Sequence, residues 1–374
     1  MLDKHWMSFL DPKDPLLNFR KKGWDRFEEI GLPRPKQEAF QYLSPKHLVF
    51  PKLAERKTDA AQMRDGLLFV DGFFEETFSQ VPAPLVCLPL EGAMRSYGLF
   101  LQTRLAKGLK EETDPFAALN GAFHGRGAFL YLPPKCKAAL HLTHLFVSED
   151  FVSPRIHVYL GRHAELTLTQ TSQGKSNFCN SALDFVLDEG ARLAFHDRQE
   201  GQFQSIRATQ KRDSKLKMVL LGKQLRTSLK VQLAEENSEA EVFGLACNSG
   251  SEESHVHASI EHVAPHTHSR QHFKAVLRDK SRFSFEGKIL VRPAAQKTEA
   301  YQLNNNLILS DEAVANAKPN LEIFADDVKA SHGATVGQLD EEQLFYLRSR
   351  GLSLEQAKEW LIEGFCKEIL DHAR

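Results

Sequence analysis

From about residue 65 to residue 310 the chain runs in short stretches of alternating apolar and polar side chains. Ala164-Glu165-Leu166-Thr167-Leu168-Thr169, Ser228-Leu229-Lys230-Val231-Gln232-Leu233 and Arg282-Phe283-Ser284-Phe285 all follow this rule. A period of two sends one set of side chains into a core and the other toward solvent, so these stretches predict β-strands. Several share a lead-in in which a small or polar turn precedes the apolar positions. Examples are Gly161-Arg162-His163-Ala164, Gly190-Ala191-Arg192-Leu193, Asn237-Ser238-Glu239-Ala240 and Lys280-Ser281-Arg282-Phe283. Such units suit a stacked β-coil, yet their irregular spacing fits no fixed-length repeat. A β-helix and a β-sandwich both satisfy the pattern.

The flanks read differently. Residues 1–64 are rich in Lys, Arg and Pro, and Trp24 to Ile30 predict a short helix stopped by Gly31, with Pro33 and Pro35 beyond. Lys57 to Gln62 read as a polar connection. Residues 311–374 predict helices. Asp340 is placed to cap one whose third residue is Gln343, with Leu339 and Leu344 at the staple positions, and Gly351 would end it. Ser353 and Gln356 repeat the signal for a second helix. Its apolar stripe comprises Ala357, Trp360, Leu361, Gly364, Phe365 and Ile369, which predicts docking onto the chain's own core. Three regions result: 1–64, 65–310 and 311–374.

Composition narrows the function. Of 374 residues, 48 are Lys or Arg and 49 are Asp or Glu, a net charge of −1. Without a basic surplus, non-specific nucleic-acid binding is not expected. Apolar runs such as Met218-Val219-Leu220-Leu221 are far too short to span a membrane, and Met1 to Trp6 lack the apolar core of a signal peptide, so a cytoplasmic protein is expected. Cys87, Cys136, Cys179, Cys247 and Cys366 are scattered, odd in number and free of CxxC spacing. They predict free, buried or half-buried thiols rather than disulfides or a zinc site.

Common catalytic and nucleotide signatures (GxxxxGK[ST], GxGxxG, HExxH and GxSxG) are missing. His255 and His257, two apart on a predicted strand, would put both imidazoles on one face, with His262, His266, His268 and His272 close behind. A working metal site needs a further ligand and an ordered surround, and Thr267, Ser269 and Gln271 offer hydrogen-bond partners instead. His332 stands alone between Asp326-Asp327 and the capped helices, beside Gly333 and Gly337, which let the backbone bend. Read by themselves, these residues leave His332 a structural histidine.

A resemblance adds to this. Pro319-Asn320-Leu321-Glu322-Ile323-Phe324-Ala325-Asp326-Asp327-Val328-Lys329, continuing through Ser331-His332-Gly333-Ala334-Thr335-Val336-Gly337, closely resembles the C-terminal signature of the SufB/SufD family. So does Asp340 to Gly351. His262 to Lys274, Phe285 to Ile289, Ala295 to Thr298 and Asn305 to Ser310 follow in the family's order. Leu119-Asn120-Gly121-Ala122-Phe123, Pro154-Arg155-Ile156-His157-Val158 and Gly31 to Glu38 extend the likeness forward.

The resemblance implies a right-handed parallel β-helix core with a helical N-terminal region and a helical C-terminal domain. It implies a non-catalytic scaffold of the SUF iron–sulfur cluster assembly complex, pairing with SufB and binding the SufC ATPase, with a homodimer as the alternative when alone. SufC binding would fall to the C-terminal helices, where Asp340, Gln343, Phe345, Tyr346, Arg348, Arg350 and Gly351 match the family pattern. His332 stands where the SufD branch places a histidine at the SufB junction, as one ligand of a transient cluster shared with SufB. No permanently bound cofactor is expected. Ala330 departs from the cysteine that many members carry two residues before this histidine, which argues for the SufD branch over SufB. From a different class, a β-helix enzyme acting on polysaccharide is the rival reading, to be recognised by paired carboxylates on one exposed face. A flavin site has no marker in the sequence.

Overall fold

The computed structural model describes residues 12–34, 37–58, 62–98, 101, 105 and 108–373. The signal-peptide reading of Met1 to Trp6, Pro35 beyond the first helix, and part of the Lys57 to Gln62 connection lie outside them. The chain is mainly β, wound into a parallel β-helix of about seven turns. Each turn adds one strand to each of two ten-stranded sheets.

Pairing registers explain the irregular spacing. Arg192 lies beside Glu165, Lys215 beside Arg192, Glu239 beside Lys215, His268 beside Glu239 and Glu299 beside His268, steps of 27, 23, 24, 29 and 31 residues. Coils of unequal length still keep their strands aligned because the slack is taken up in the turns. The predicted lead-ins are those turns: strands begin at Glu165, Arg192, Glu239 and Arg282. Residues in matching register share a side of the sheet, so one interior column runs Leu140, Leu168, Phe195, Met218, Val242, Gln271 and Gln302. The first five fill the solenoid with apolar volume, and the last two replace it with amides. Burying this column and its counterparts removes a continuous apolar core from water, at about 25 cal/mol per Å².

The outer face of one sheet is covered on its N-terminal half. The Leu17–Ile30 helix lies against the Pro115–Phe123 helix, joined by Trp24, Phe27, Ala118 and Phe123. Their backbones approach so closely at Gly23 that a Cβ there would sit 2.7 Å from the Ala122 nitrogen. Gly31, at φ 74°, ends the first helix as its sequence predicts. Asp114 caps the second and Pro115 opens it. Buried Asn120 in that helix donates to the Pro154 and Asn180 carbonyls, and its own oxygen accepts from Arg155 at 3.0 Å. Two separate sequence elements, Leu119 to Phe123 and Pro154 to Val158, thus meet in one hydrogen-bonded joint. Glu112 adds a second clamp, accepting from both Arg207 Nε and Nη2 at 2.9 Å and from Lys230 Nζ at 3.1 Å.

The strand region continues past the expected boundary at residue 310. Val314–Ile323 and Val328–Gly337 are the last strands of the two sheets, and helices begin only at Glu341. Their sequences hid them. At the open end no further coil stacks on the rung, so its inward positions are mostly small: Ala315 and Ala317 stand beside Phe283 and Phe285, and Ala330 and Ala334 flank His332. Pro319, which has no N–H to give, is tolerated because its strand is an edge.

Candidate functional site

The final rung is the most exposed part of the β-helix. Val314–Ile323 and Val328–Gly337 each pair on one side only, with Arg282–Val291 and Thr298–Ile308, and carry no partner strand on the other among the described residues. Two ten-residue edges therefore present unpaired N–H and C=O groups, a template for another chain. Phe324 and Val336 stand exposed beside them.

His332 sits in the middle of this rung. It pairs with Gln302, so its side chain belongs to the interior column described above. Gln302 is buried and donates to Gln271 Oε1 at 3.3 Å, whereas His332, with no coil above it, is exposed. An inward-facing residue at an open end becomes a solvent-facing one. Ala330 and Ala334 flank it on the same side, and Ala330 packs its methyl with Ala300 and Val291. The rung thus offers a single imidazole between small apolar groups. Among the described residues no group of three or more His, Cys, Asp or Glu side chains is placed to hold a metal ion.

Beyond the rung come the Glu341–Ser349 and Leu354–Asp371 helices. Asp340 accepts from the Glu342 and Gln343 N–H groups at 2.8 and 3.1 Å, the predicted cap, and Ser353 with Gln356 completes a reciprocal capping box. Gly351 at φ 98° makes the turn between the helices. Asp340 and Gly351 therefore shape the helix pair, while Gln343, Phe345, Tyr346, Arg348 and Arg350 are exposed on it. Leu344 is only 6% exposed and anchors the helix; Phe345, next in sequence, is 75% exposed.

The longer helix docks with a narrower face than its apolar stripe predicts. Ala357, Cys366 and Ile369 are buried, whereas Trp360 is 60% exposed. Charged anchors complete the docking: Lys274 Nζ donates to the Phe365 carbonyl at 2.9 Å, and Glu368 faces Arg270 and Lys274 at 3.5 and 3.0 Å. Trp360 with Phe345 and Tyr346 leaves three large aromatic side chains uncovered on this appendage.

His255, His257 and His262 are occupied elsewhere. His255 and His257 do share one face, as their spacing predicts, but it is the outer face beneath Phe40 and Leu43 of the N-terminal region. His255 Nδ1 lies 2.7 Å from Ser284 Oγ, and burial pushes both imidazoles down to about 4. Buried His262 bridges Thr267 and Ser269, each at 2.8 Å, the hydrogen-bonding use that those neighbours suggest.

Comparison with known proteins fits this geometry. A family described as "SUF system FeS cluster assembly, SufBD core domain" matches residues 145–365, which include the final rung and most of the helix pair. The chain belongs to the SufBD family. Iron-sulfur cluster assembly SufBD family protein slr0076 of Synechocystis is 31% identical over 95% of this chain and 87% of its own length. Iron-sulfur cluster assembly protein SufD of Escherichia coli is 42% identical over 42% of this chain and 37% of its own. Protein ABCI7, chloroplastic, of Arabidopsis thaliana is 29% identical over 69% and 59%. As a SufBD-family member the chain is a component of SUF iron–sulfur cluster assembly.

For this SufBD-family chain, the sequence pattern missed the two open edges and the exposure of Trp360. A signal for the edges was present: after Ile308 the alternation of small and polar residues continues in Val328-Lys329-Ala330-Ser331-His332 without large apolar side chains. That combination marks a strand whose inner side faces no core.

Proposed function

We propose that the chain is the SufD-type, non-catalytic scaffold subunit of a SUF complex. In this reading it pairs with SufB through the open end of its β-helix and binds the SufC ATPase through its C-terminal helices. His332 donates one ligand to a nascent cluster that is cargo, held between the subunits and then released.

The observation that carries the proposal is the exposed imidazole at the centre of an uncapped rung. A cluster takes about four ligands, normally thiolates. One imidazole beside Ala330 supplies a quarter of that set, so the rest must come from the chain that covers the rung, or from added thiols. A mixed, intersubunit site holds its cargo less firmly than four cysteines of one chain, which suits transfer. The unpaired edges favour a partner with an equally open β-helix, since strand addition satisfies every exposed backbone group at once. The uncovered Phe345, Tyr346 and Trp360 are of the type that anchors protein interfaces. The sequence carries no phosphate-gripping loop, so nucleotide energy would enter through the ATPase. Five free cysteines agree with a cytoplasmic setting, and no helix among the described residues is long and apolar enough to cross a membrane.

Co-expression with SufB and SufC tests the reading. The chain is expected to co-elute with both in one complex of fixed stoichiometry. A folded chain that retains neither partner would overturn it.

A further inference from the structure

The C-terminal helix lies along the outer face of the Glu239–Asn248 and His268–Leu277 strands. Phe243, Leu245 and Cys247 alternate along that face, with Gly244 and Ala246 turned to the interior between them. Ile369 settles among Val219, Phe243 and Leu245, and His372 stacks on the Phe243 ring at 3.6 Å. One helical turn before Ile369, on the same side of the helix, comes Cys366. With His372 on Phe243 and Ile369 between Phe243 and Leu245, the next turn of the helix brings Cys366 toward Cys247, the next outward position of the strand.

We infer that Cys247 and Cys366 are a redox-active pair whose disulfide fastens the C-terminal helix to the β-helix. Three features distinguish the pair from chance neighbours. The helix is already positioned by contacts on both sides, including Lys274 to the Phe365 carbonyl and to Glu368. The two thiols are unequal, since Cys247 is exposed and Cys366 is buried beneath the helix. Their surroundings are cationic: the neighbouring Cys366 thiol, together with Arg278 and Lys223, pulls Cys247 down to about 7, while the Cys247 thiol and burial push Cys366 up. An accessible, acidified thiol backed by a second one is the arrangement that oxidises selectively and reversibly.

The chemistry closes with a small-molecule disulfide of the oxidised-glutathione class as oxidant. The Cys247 thiolate attacks one of its sulfurs; that S–S bond breaks, a mixed disulfide forms on Cys247, and one small thiolate leaves and takes a proton. Cys366 gives up its proton and attacks the Cys247 sulfur, expelling the second small thiol. Two protein thiols are oxidised and one disulfide is reduced to two thiols. Excess small thiol reverses both steps. The inference does not depend on which partner the helix binds.

The test uses the full chain, fully reduced and then equilibrated in glutathione buffers of rising oxidising ratio. Remaining thiols are alkylated and the peptides mapped by mass, with backbone hydrogen exchange followed over 354–371. The parent should form one internal cross-link between Cys247 and Cys366, and exchange in the helix should slow at least ten-fold. Cys366→Ala should instead accumulate a glutathione adduct on Cys247. Cys247→Ser, whose substituted side chain is exposed, should leave Cys366 unmodified. Four results would each overturn the inference: a stable adduct on Cys247 in the parent, no oxidation of either cysteine, modification of Cys366 in Cys247→Ser, or a cross-link without slower exchange. Because Cys366 is buried, Cys366→Ala is read only if it folds; the parent and Cys247→Ser decide the matter without it.

Discussion

His332 and Gln302 are direct neighbours across the last two strands of one sheet, on the same side, and their environments are opposite. Gln302 is 2% exposed and hydrogen-bonded to the Gln271 amide, whereas His332 has the same orientation and, among the described residues, no strand above it. The interior column thus ends in an imidazole where a further coil would have needed another buried side chain. Whatever covers this end meets His332 first.

His332→Ala is expected to leave the isolated chain unchanged in stability, within about 0.5 kcal/mol, because an exposed side chain without packed neighbours has little to lose. In the assembled complex it should slow the appearance of cluster absorbance after iron and sulfide are supplied. The check is parallel reconstitution of parent and variant complexes of equal subunit content. Equal rates would remove the histidine from the ligand set.

Leu344 and Phe345 separate folding from binding within one helical turn. Leu344 is buried, so Leu344→Ala should destabilise the chain by about 2–3 kcal/mol in urea unfolding. Phe345→Ala removes a side chain that is mostly in solvent, and should change stability by less than about 0.5 kcal/mol while weakening capture of the ATPase subunit at least ten-fold. Should Phe345→Ala bind the ATPase as the parent does, the aromatic would be a passenger.

Much of this was legible in the chain, and the limits have physical causes. Caps and turns are local, so Gly31, Asp340, Gly351 and Ser353 read correctly from a few residues. The strands read correctly wherever they bury a side, because burial imposes the period of two. At the final rung nothing imposes it, and the strands of residues 314–337 were expected to be helical territory. Joints between distant segments were invisible for another reason. That Arg155 would reach Asn120, or Cys366 meet Cys247, depends on how the coils stack, and no local signal carries that. The resemblance pointed to His332, but only the register with Gln302 explains why an inward-facing histidine is exposed.

The buried histidines predict acid sensitivity. Burial holds His144, His157, His255 and His257 down to about 4 and His262 to about 3, against an ordinary 6.5. The folded chain keeps them neutral, and the unfolded chain protonates them below 6.5. Their contribution is therefore fully present above the unfolded value and is lost as pH falls toward 4. Each should cost on the order of 1.4 kcal/mol per pH unit in that window. Urea midpoints measured across it should fall steeply as pH drops, with these five side chains alone taking up about five protons on unfolding. An uptake of about one proton or fewer would mean that these imidazoles are not held neutral.

Asp197 runs the other way, which makes it separable. Its carboxylate is sealed inside the β-helix, where it accepts from the Gln199 N–H at 2.9 Å, Gln170 Nε2 at 3.1 Å and Gln204 Nε2 at 2.7 Å. Burial outweighs those donors and pushes it up to about 6 from 3.8. A raised carboxyl contributes stability below its unfolded value, and that contribution is lost as pH rises through the folded one. Asp197→Asn keeps the shape without the charge, and a turn of the Gln204 amide, whose oxygen has no partner, would accept the new N–H. The histidine effect is common to parent and variant and cancels when they are compared at one pH. Relative to Asp197→Asn, the parent should lose about 1.5 kcal/mol between about pH 5 and about pH 7.5. Parallel stability curves across that range would show that the carboxylate is solvated inside the coil and that the interior there is wet.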